Sequence, residues 1–276
     1  MNGTYWIHNL DPVLLRLGGI EVRYYGFFFA LAMVQGAFMW TWQIRRSGRS
    51  WEEALPAIWM AILGAIIGGH LGNILFYNLA PFLEDPLRYL LNWRGGFASH
   101  GSTVGVAAAL YIYSRKLTMP YLGALDRCSL TIPLMTTCIR LGNFMNGEIV
   151  GKASAVPWAV IYPAYDRARE LPFTPRHPSQ LYEAAMGMVL FIFMFQVDRR
   201  LKENRPRGLM LGLFFAGYFS LRFGVEFFKE PHLLDPSFPL NMGQILSMPF
   251  AAIGWWLVVT RLETMKKAPN TVSGAE

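Results

Sequence analysis

"LPAIWMAILGAIIGGHLGNILFYNL", residues 55–79, contains no Lys, Arg, Asp or Glu. At about 1.5 Å of rise per residue, a helix of this length crosses the roughly 30 Å hydrocarbon core of a bilayer. Further apolar runs occur at Tyr24–Trp42, Gly101–Tyr113, Tyr121–Ile139, Leu181–Val197, Leu209–Phe228 and Gln244–Val259. The expected fold is all-α: a polytopic membrane protein of about seven transmembrane helices. Gly101–Tyr113 is short and spans only by borrowing preceding residues, and Tyr121–Ile139 is interrupted by Asp126 and Arg127. Composition agrees, since 53% hydrophobic against 16% charged residues is too apolar for an ordinary soluble domain of 276 residues.

A formal net charge of +7 raises nucleic acid as a partner, but the distribution of the cations points to membrane topology instead. If the odd-numbered helices run inward, Arg45, Arg46, Arg49, Arg115, Lys116, Arg127, Arg199, Arg200, Lys202, Arg205, Arg207, Arg261, Lys266 and Lys267 share one side. Arg16, Arg23, Arg88, Arg94, Lys152, Arg167, Arg169, Arg176 and Lys229 lie on the other, among longer loops. The positive-inside rule then puts the N-terminus outside and the C-terminus in the cytoplasm. No cleavable signal is expected, because the first apolar run follows 23 mixed residues without a small-residue cleavage site. Cys128 and Cys138 fall on one continuous helix, too far apart for a disulfide, and read as packed thiols.

Residues 1–23 read as an N-terminal interfacial arm, with spaced apolar positions, Pro12 and a Gly18-Gly19 pair. The transmembrane body covers 24–265, with a second arm at about 78–99 and an outer cap at about 142–179. Pro157, Pro163, Pro172, Pro175 and Pro178 exclude a long helix from that cap. The 266–276 tail reads as disordered.

With this topology, Arg222 lies about 20 Å along the sixth helix, His70 about 21 Å along the second and Arg140 nearly 30 Å along the fourth. Tyr25 and His100 open the first and third helices at the same outer side. Ionisable groups at such depth cost a few kcal/mol each unless paired or wetted, so five residues from five helices suggest a shared polar cavity. Each has a plainer reading alone: Arg222 with Glu226 at i, i+4 is also an internal ion pair, Arg140 snorkels, His100 starts a helix, His70 packs, and Tyr25 joins an aromatic belt. Two arginines facing the outer leaflet suit an anionic phospholipid headgroup, because a guanidinium binds phosphate bidentately and stays charged when dehydrated. In "RLGNFMNGEIVG", residues 140–151, Asn143 and Asn146 add neutral donors, and Gly142, Gly147 and Gly151 let backbone amides approach a ligand closely.

That stretch resembles the signature of the prolipoprotein diacylglyceryl transferase family. Other blocks of the family follow in order over nearly the whole chain: "DPVLLRLGGIEVRYYG", "ILFYN", "GGFASHGSTVGV", "RHPSQLYEA", "GYFSLRFGVEFFKEP" and "MGQILS". The resemblance implies transfer of a diacylglyceryl group from phosphatidylglycerol to the lipobox cysteine of a preprolipoprotein, in the bacterial cytoplasmic (inner) membrane with the site toward the outer leaflet. It implies that Arg140 binds the lipid phosphate, that Arg222 is the second essential arginine and that His100 is the catalytic histidine. Tyr25, Asn143, Asn146, Glu148, Gly151 and Glu226 match other residues around the family's site. His177, Gln180 and Glu183 match a block expected to order the cap.

The chain departs from the family where "HLGN" stands for Arg-x-Gly-Tyr, placing His70 and Asn73, and where "HGS" stands for His-Gly-Gly, placing Ser102. His70 is then a candidate substrate-binding residue, a replacement cation when protonated, and substrate preference is the property in question. The reaction needs a thiolate and stabilisation of charge on the departing phosphate. His100, at a helix N-terminus that favours neutral imidazole, is the candidate base, while Arg140 and Arg222 stabilise the leaving group. An arginine-lined cavity that lowers the thiol pKa is the alternative to His100 as base. No cofactor or metal is expected, and the partners are phosphatidylglycerol, preprolipoprotein signal peptides and the bilayer, not nucleic acid. Two competing readings remain at this point. One is a lipid transporter, against which stand the lack of repeated halves and the gathering of polar residues in one leaflet. The other is a divergent anionic-phospholipid-binding homologue without transferase activity.

Overall fold

The computed structural model describes residues 5–91, 98–116, 119–230 and 238–267. Its helices are α1 Tyr24–Arg46, α2 Leu55–Tyr77, α3 Leu79–Glu84, α4 Pro86–Leu91, α5 Ser99–Lys116, α6 Tyr121–Asn146, α7 Pro163–Arg167, α8 Ser179–Leu201, α9 Leu209–Val225 and α10 Met242–Lys267. Five spans among the described residues are long and apolar enough to cross a membrane: α1, α2, α8 with the turn after it, α9 with the turn after it, and α10. The two weaker runs also form helices. α5 gains residues at both ends of the predicted run, and α6 continues past Ile139 to Asn146. Asp126 and Arg127 do not break α6; both are buried, Arg127 Nη1 donates to Gln43 O at 3.1 Å, and Gln43 Nε2 returns a bond to Arg127 O at 3.0 Å.

The chain divides into two compact units, Ala37–Cys128 and the remainder, and the division falls within α1 and α6. In the Ala37–Cys128 unit, α2 and α5 meet backbone to backbone. A Cβ on Gly105 would lie 2.8 Å from Gly64 C and overlap Gly64 O, and one on Gly101 would lie 2.7 Å from Gly72 Cα. Small residues give bilayer helices this contact where lipid offers no hydrophobic drive to associate. Ser102 fits the same seam, its Oγ donating to Ala65 O at 2.9 Å. Trp40, Ile44, Ala54, Leu110 and Tyr113 form the unit's core, and the Tyr113 hydroxyl donates to Glu53 O at 2.9 Å. Of the expected second arm, residues 92–97, including Arg94, lie outside the described residues. The rest forms α3 and α4, whose Leu83, Leu87 and Leu91 are exposed.

The larger unit carries α8, α9 and α10. Gly212 and Gly254 bring α9 and α10 together, since a Cβ on Gly254 would lie 2.7 Å from Phe215 Cβ. The N-terminal arm is a β-hairpin, β2 Val13–Leu17 paired antiparallel with β3 Ile20–Arg23. Gly18 and Gly19 turn it with φ of +52 and +89, the signs a two-residue loop needs. Leu15 pairs with Val22 and Leu17 with Ile20, while Arg16 pairs with Glu21 on the opposite face. The Val13 N–H and then the Arg16 guanidinium hold the Asp11 carboxyl below its ordinary pKa. Residues 142–146, the first of the expected cap, continue α6, and the chain turns at Gly147, φ +66. Within it, β4 Val160–Ile161 lies between β1 Trp6–Ile7, parallel, and β5 Pro175–Arg176, antiparallel. Residues 268–276 of the predicted tail lie outside the described residues.

Candidate functional site

The last turns of α6 place Arg140, Asn143 and Asn146 at i, i+3 and i+6, close to one face. Arg140 Nη1 donates to Asn143 Oδ1 at 3.2 Å. Asn143 and Asn146 each donate an amide N–H to Glu148 Oε1, at 2.9 Å and 3.3 Å. Two contacts hold the turn that brings Glu148 back: His8 Nε2 donates to Phe144 O at 2.7 Å, and Gln180 Nε2 to Glu148 O at 2.6 Å. Gly142 is where α1 comes close, because a Cβ there would lie 3.2 Å from Tyr25 Cα and from its ring.

From Arg140 a chain of alternating charges runs across three elements. Its Nε lies 2.5 Å from Glu183 Oε2 on α8, an ion pair whose N–H is not aligned with the oxygen. Glu183 Oε1 lies 3.1 Å from Lys229 Nζ, which is 2.9 Å from Glu226 Oε1. The same Glu226 oxygen is 3.4 Å from Arg222 Nη2, one helical turn back. Arg222 also hydrogen-bonds the side chain of Tyr218, a turn earlier on α9. The interior of the chain is sealed while its last member is open: side-chain exposure is 1% at Glu183, 6% at Glu226 and 7% at Lys229, against 15% at Arg140 and 30% at Arg222. Burial of this depth is tolerable because each carboxylate touches two cations.

Backbone contacts fix where these groups stand. Asn241 and Gln244 cap α10 reciprocally, Asn241 N donating to Gln244 Oε1 at 3.0 Å and Gln244 N to Asn241 Oδ1 at 2.8 Å. Asn241 Nδ2 also reaches Glu226 O at 3.1 Å. Gly151 bridges to Lys229, and its N–H donates to His177 O at 2.9 Å, so this amide is spent on the cap. A Cβ at 151 would stand 2.7 Å from His177 Cβ. Burial holds His177 below its ordinary pKa; its Nδ1 is 3.0 Å from the Tyr182 hydroxyl, which accepts from Trp158 Nε1 at 2.7 Å.

Thus Arg140, Asn143, Asn146, Glu148, Arg222 and Glu226 come together, with Tyr25 beside Gly142. Gly151 stands next to Lys229. His70 and His100 belong to the Ala37–Cys128 unit. His100 is exposed at the second residue of α5, its ring 6.4 Å from that of Phe76. His70 is buried, and its Nε2 lies 3.2 Å from Leu90 O on α4. Lys229 and Tyr218 do not stand out as site residues in the sequence, and Glu183 reads as part of the cap; the available signal was Tyr218 four residues before Arg222 and Lys229 seven after it.

Comparison with known proteins gives the same assignment along the chain. A family model described as prolipoprotein diacylglyceryl transferase matches residues 12–260. Proteins named phosphatidylglycerol--prolipoprotein diacylglyceryl transferase are similar over almost their full length. The relative from Vibrio parahaemolyticus is 37% identical, covering 91% of this chain and 90% of its own. That from Sinorhizobium medicae is 37% identical, covering 90% and 91%, and that from Pseudoalteromonas atlantica 38%, covering 95% and 93%.

Proposed function

Because the chain belongs to the prolipoprotein diacylglyceryl transferase family, we infer that it moves the diacylglyceryl group of phosphatidylglycerol to the lipobox cysteine thiol of preprolipoproteins. The observation that carries this reading to particular atoms is the charge chain Arg140–Glu183–Lys229–Glu226–Arg222, sealed at its interior and holding two guanidiniums on different helices.

In the reaction, the cysteine sulfur attacks the glyceryl carbon that bears the phosphate. A C–S bond forms, the C–O bond breaks, and glycerol phosphate leaves with the bonding pair. Negative charge grows on the phosphate oxygens in the transition state. Arg140 and Arg222, already held by carboxylates, meet that charge without reorganising, which is where preorganised electrostatics is strongest. Asn143 accepts from Arg140 directly and is itself fixed by Glu148, which Asn146 also holds, and Tyr25 stands at the α1 side of the same turn. His100 takes the thiol proton as general base. In this reading the N-terminus and cap face outward, the C-terminus is cytoplasmic, the protein spans the bacterial inner membrane, and the site opens to the outer leaflet. The hairpin 13–23 lies in the interface with Leu15, Leu17, Ile20 and Val22 toward lipid.

The departures at His70 and Ser102 are taken up by contacts to Leu90 O and Ala65 O. That favours an active transferase over a homologue that only binds lipid. Purified protein, phosphatidylglycerol and a lipobox peptide test the reading together. The peptide gains the diacylglyceryl mass as glycerol phosphate appears; absence of both, with an active control enzyme in parallel, overturns it.

A further inference from the structure

Glu183 belongs to a block of sequence that reads as cap structure, yet it is the least exposed member of the charge chain and, among the described residues, the only carboxylate paired with Arg140. Its two oxygens face different cations, Arg140 Nε at 2.5 Å and Lys229 Nζ at 3.1 Å. Lys229 is itself fixed from two directions. Its backbone bridges to Gly151 in the cap, and the neighbouring Glu230 pairs with Arg176, which also holds Asp166 at 3.0 Å. The five directly paired groups are three cations and two carboxylates, so removing one charge changes both the sum and the balance around Arg140.

We propose that Glu183 and Lys229 form a positioning pair: Glu183 sets the direction in which the Arg140 fork faces, and Lys229 supplies the charge that keeps the cluster attractive to a singly charged phosphodiester. This rests on the transferase reading given above. Neither residue touches the reacting atoms; both act through Arg140 and through the field of the site.

Three variants separate the pair's two contributions. Glu183→Gln keeps the shape and an acceptor but makes the cluster one charge more positive, leaving Lys229 and Arg140 without a shared anion. Its kcat falls about a hundredfold, as for a misplaced catalytic group, while its KM for phosphatidylglycerol does not rise. Lys229→Met makes the cluster one charge less positive, and its KM rises roughly tenfold, the scale of one unit charge several ångströms away at intermediate dielectric. The double variant restores the charge sum, and its KM returns to within about threefold of wild type. General loss of structure would lower kcat in all three and would not place their KM values in order of charge.

The measurements are kcat and KM in detergent with phosphatidylglycerol and a lipobox peptide, and the Kd for phosphatidylglycerol and for phosphatidylcholine in nanodiscs. A double variant with the KM and Kd of Lys229→Met alone overturns the proposal, as does Glu183→Gln with wild-type kcat. If Glu183→Gln fails to fold, the comparison of Lys229→Met with the double variant still decides. If the wild type transfers nothing, the transferase reading fails, and the order of Kd values decides the proposal independently.

Discussion

A Cβ placed on Gly243 would stand 2.6 Å and 2.7 Å from the two carboxylate oxygens of Glu226. The first turn of α10 therefore rests directly on the acid that joins Lys229 to Arg222. What yields on substitution is the end of a side chain, not backbone, so the fold tolerates the change and the site does not. Gly243→Ala is expected to keep near-normal thermal stability in detergent while turnover drops roughly tenfold or more. Normal turnover in a folded Gly243→Ala protein contradicts the arrangement.

Replacing His100 with Gln removes the only imidazole that the reaction scheme uses. Transfer falls across the whole pH–rate profile, because no side chain is left to accept the thiol proton. If the profile keeps its shape and rate, the arginine field alone activates the thiol.

At the α2–α5 seam two effects of Gly105→Ala compete. Alanine gains up to about 1 kcal/mol of helix propensity. The added methyl meets Gly64 backbone on the facing helix, which cannot move without separating the pair. Overpacking costs typically 1–3 kcal/mol, so the variant is destabilised, and a lower melting temperature in detergent measures it. An unchanged or raised value contradicts the close contact.

The cap carries a pH dependence. Burial lowers the pKa of His177 from 6.5, so the folded cap prefers neutral imidazole and protonation favours the unfolded form. No penalty exists well above 6.5, and stability is lost as pH falls through that value toward the lowered one. Protection factors of cap amides, corrected for the intrinsic pH dependence of exchange, fall between pH 7.5 and 5 in the wild type, and less so in His177→Leu; an equal fall in both assigns the effect elsewhere.

Among the described residues, the short α3, α4 and α7 carry no apolar run; the seven longer helices were legible because each contains one, and Arg140, Arg222 and Glu226 because each is a charge inside or beside such a run. The end of α6 was not, since Arg, Leu, Asn, Phe and Met all continue a helix and only the positive φ of Gly147 stops it. The N-terminal strands were hidden for another reason: they are 5 and 4 residues long with both faces largely exposed, so the Gly18-Gly19 turn was their one local signal. Glu183 and Lys229 were missed as site residues because their meaning lies in pairing. Glu183 reads as part of a block that orders the cap, and Lys229 after α9 reads as one more topological charge. Their contact joins positions 46 residues apart in sequence (229 − 183), which no local pattern encodes.

In the proposed reaction Arg140 holds the lipid phosphate through its planar fork. Arg140→Lys keeps the positive charge and loses the second parallel N–H donor. Single-turnover transfer from phosphatidylglycerol to a lipobox peptide, followed by glycerol phosphate release in the wild type and in Arg140→Lys, is the most direct test. Loss of a preorganised transition-state donor predicts a rate reduced about a hundredfold or more in the lysine variant; near-wild-type transfer would contradict the claim.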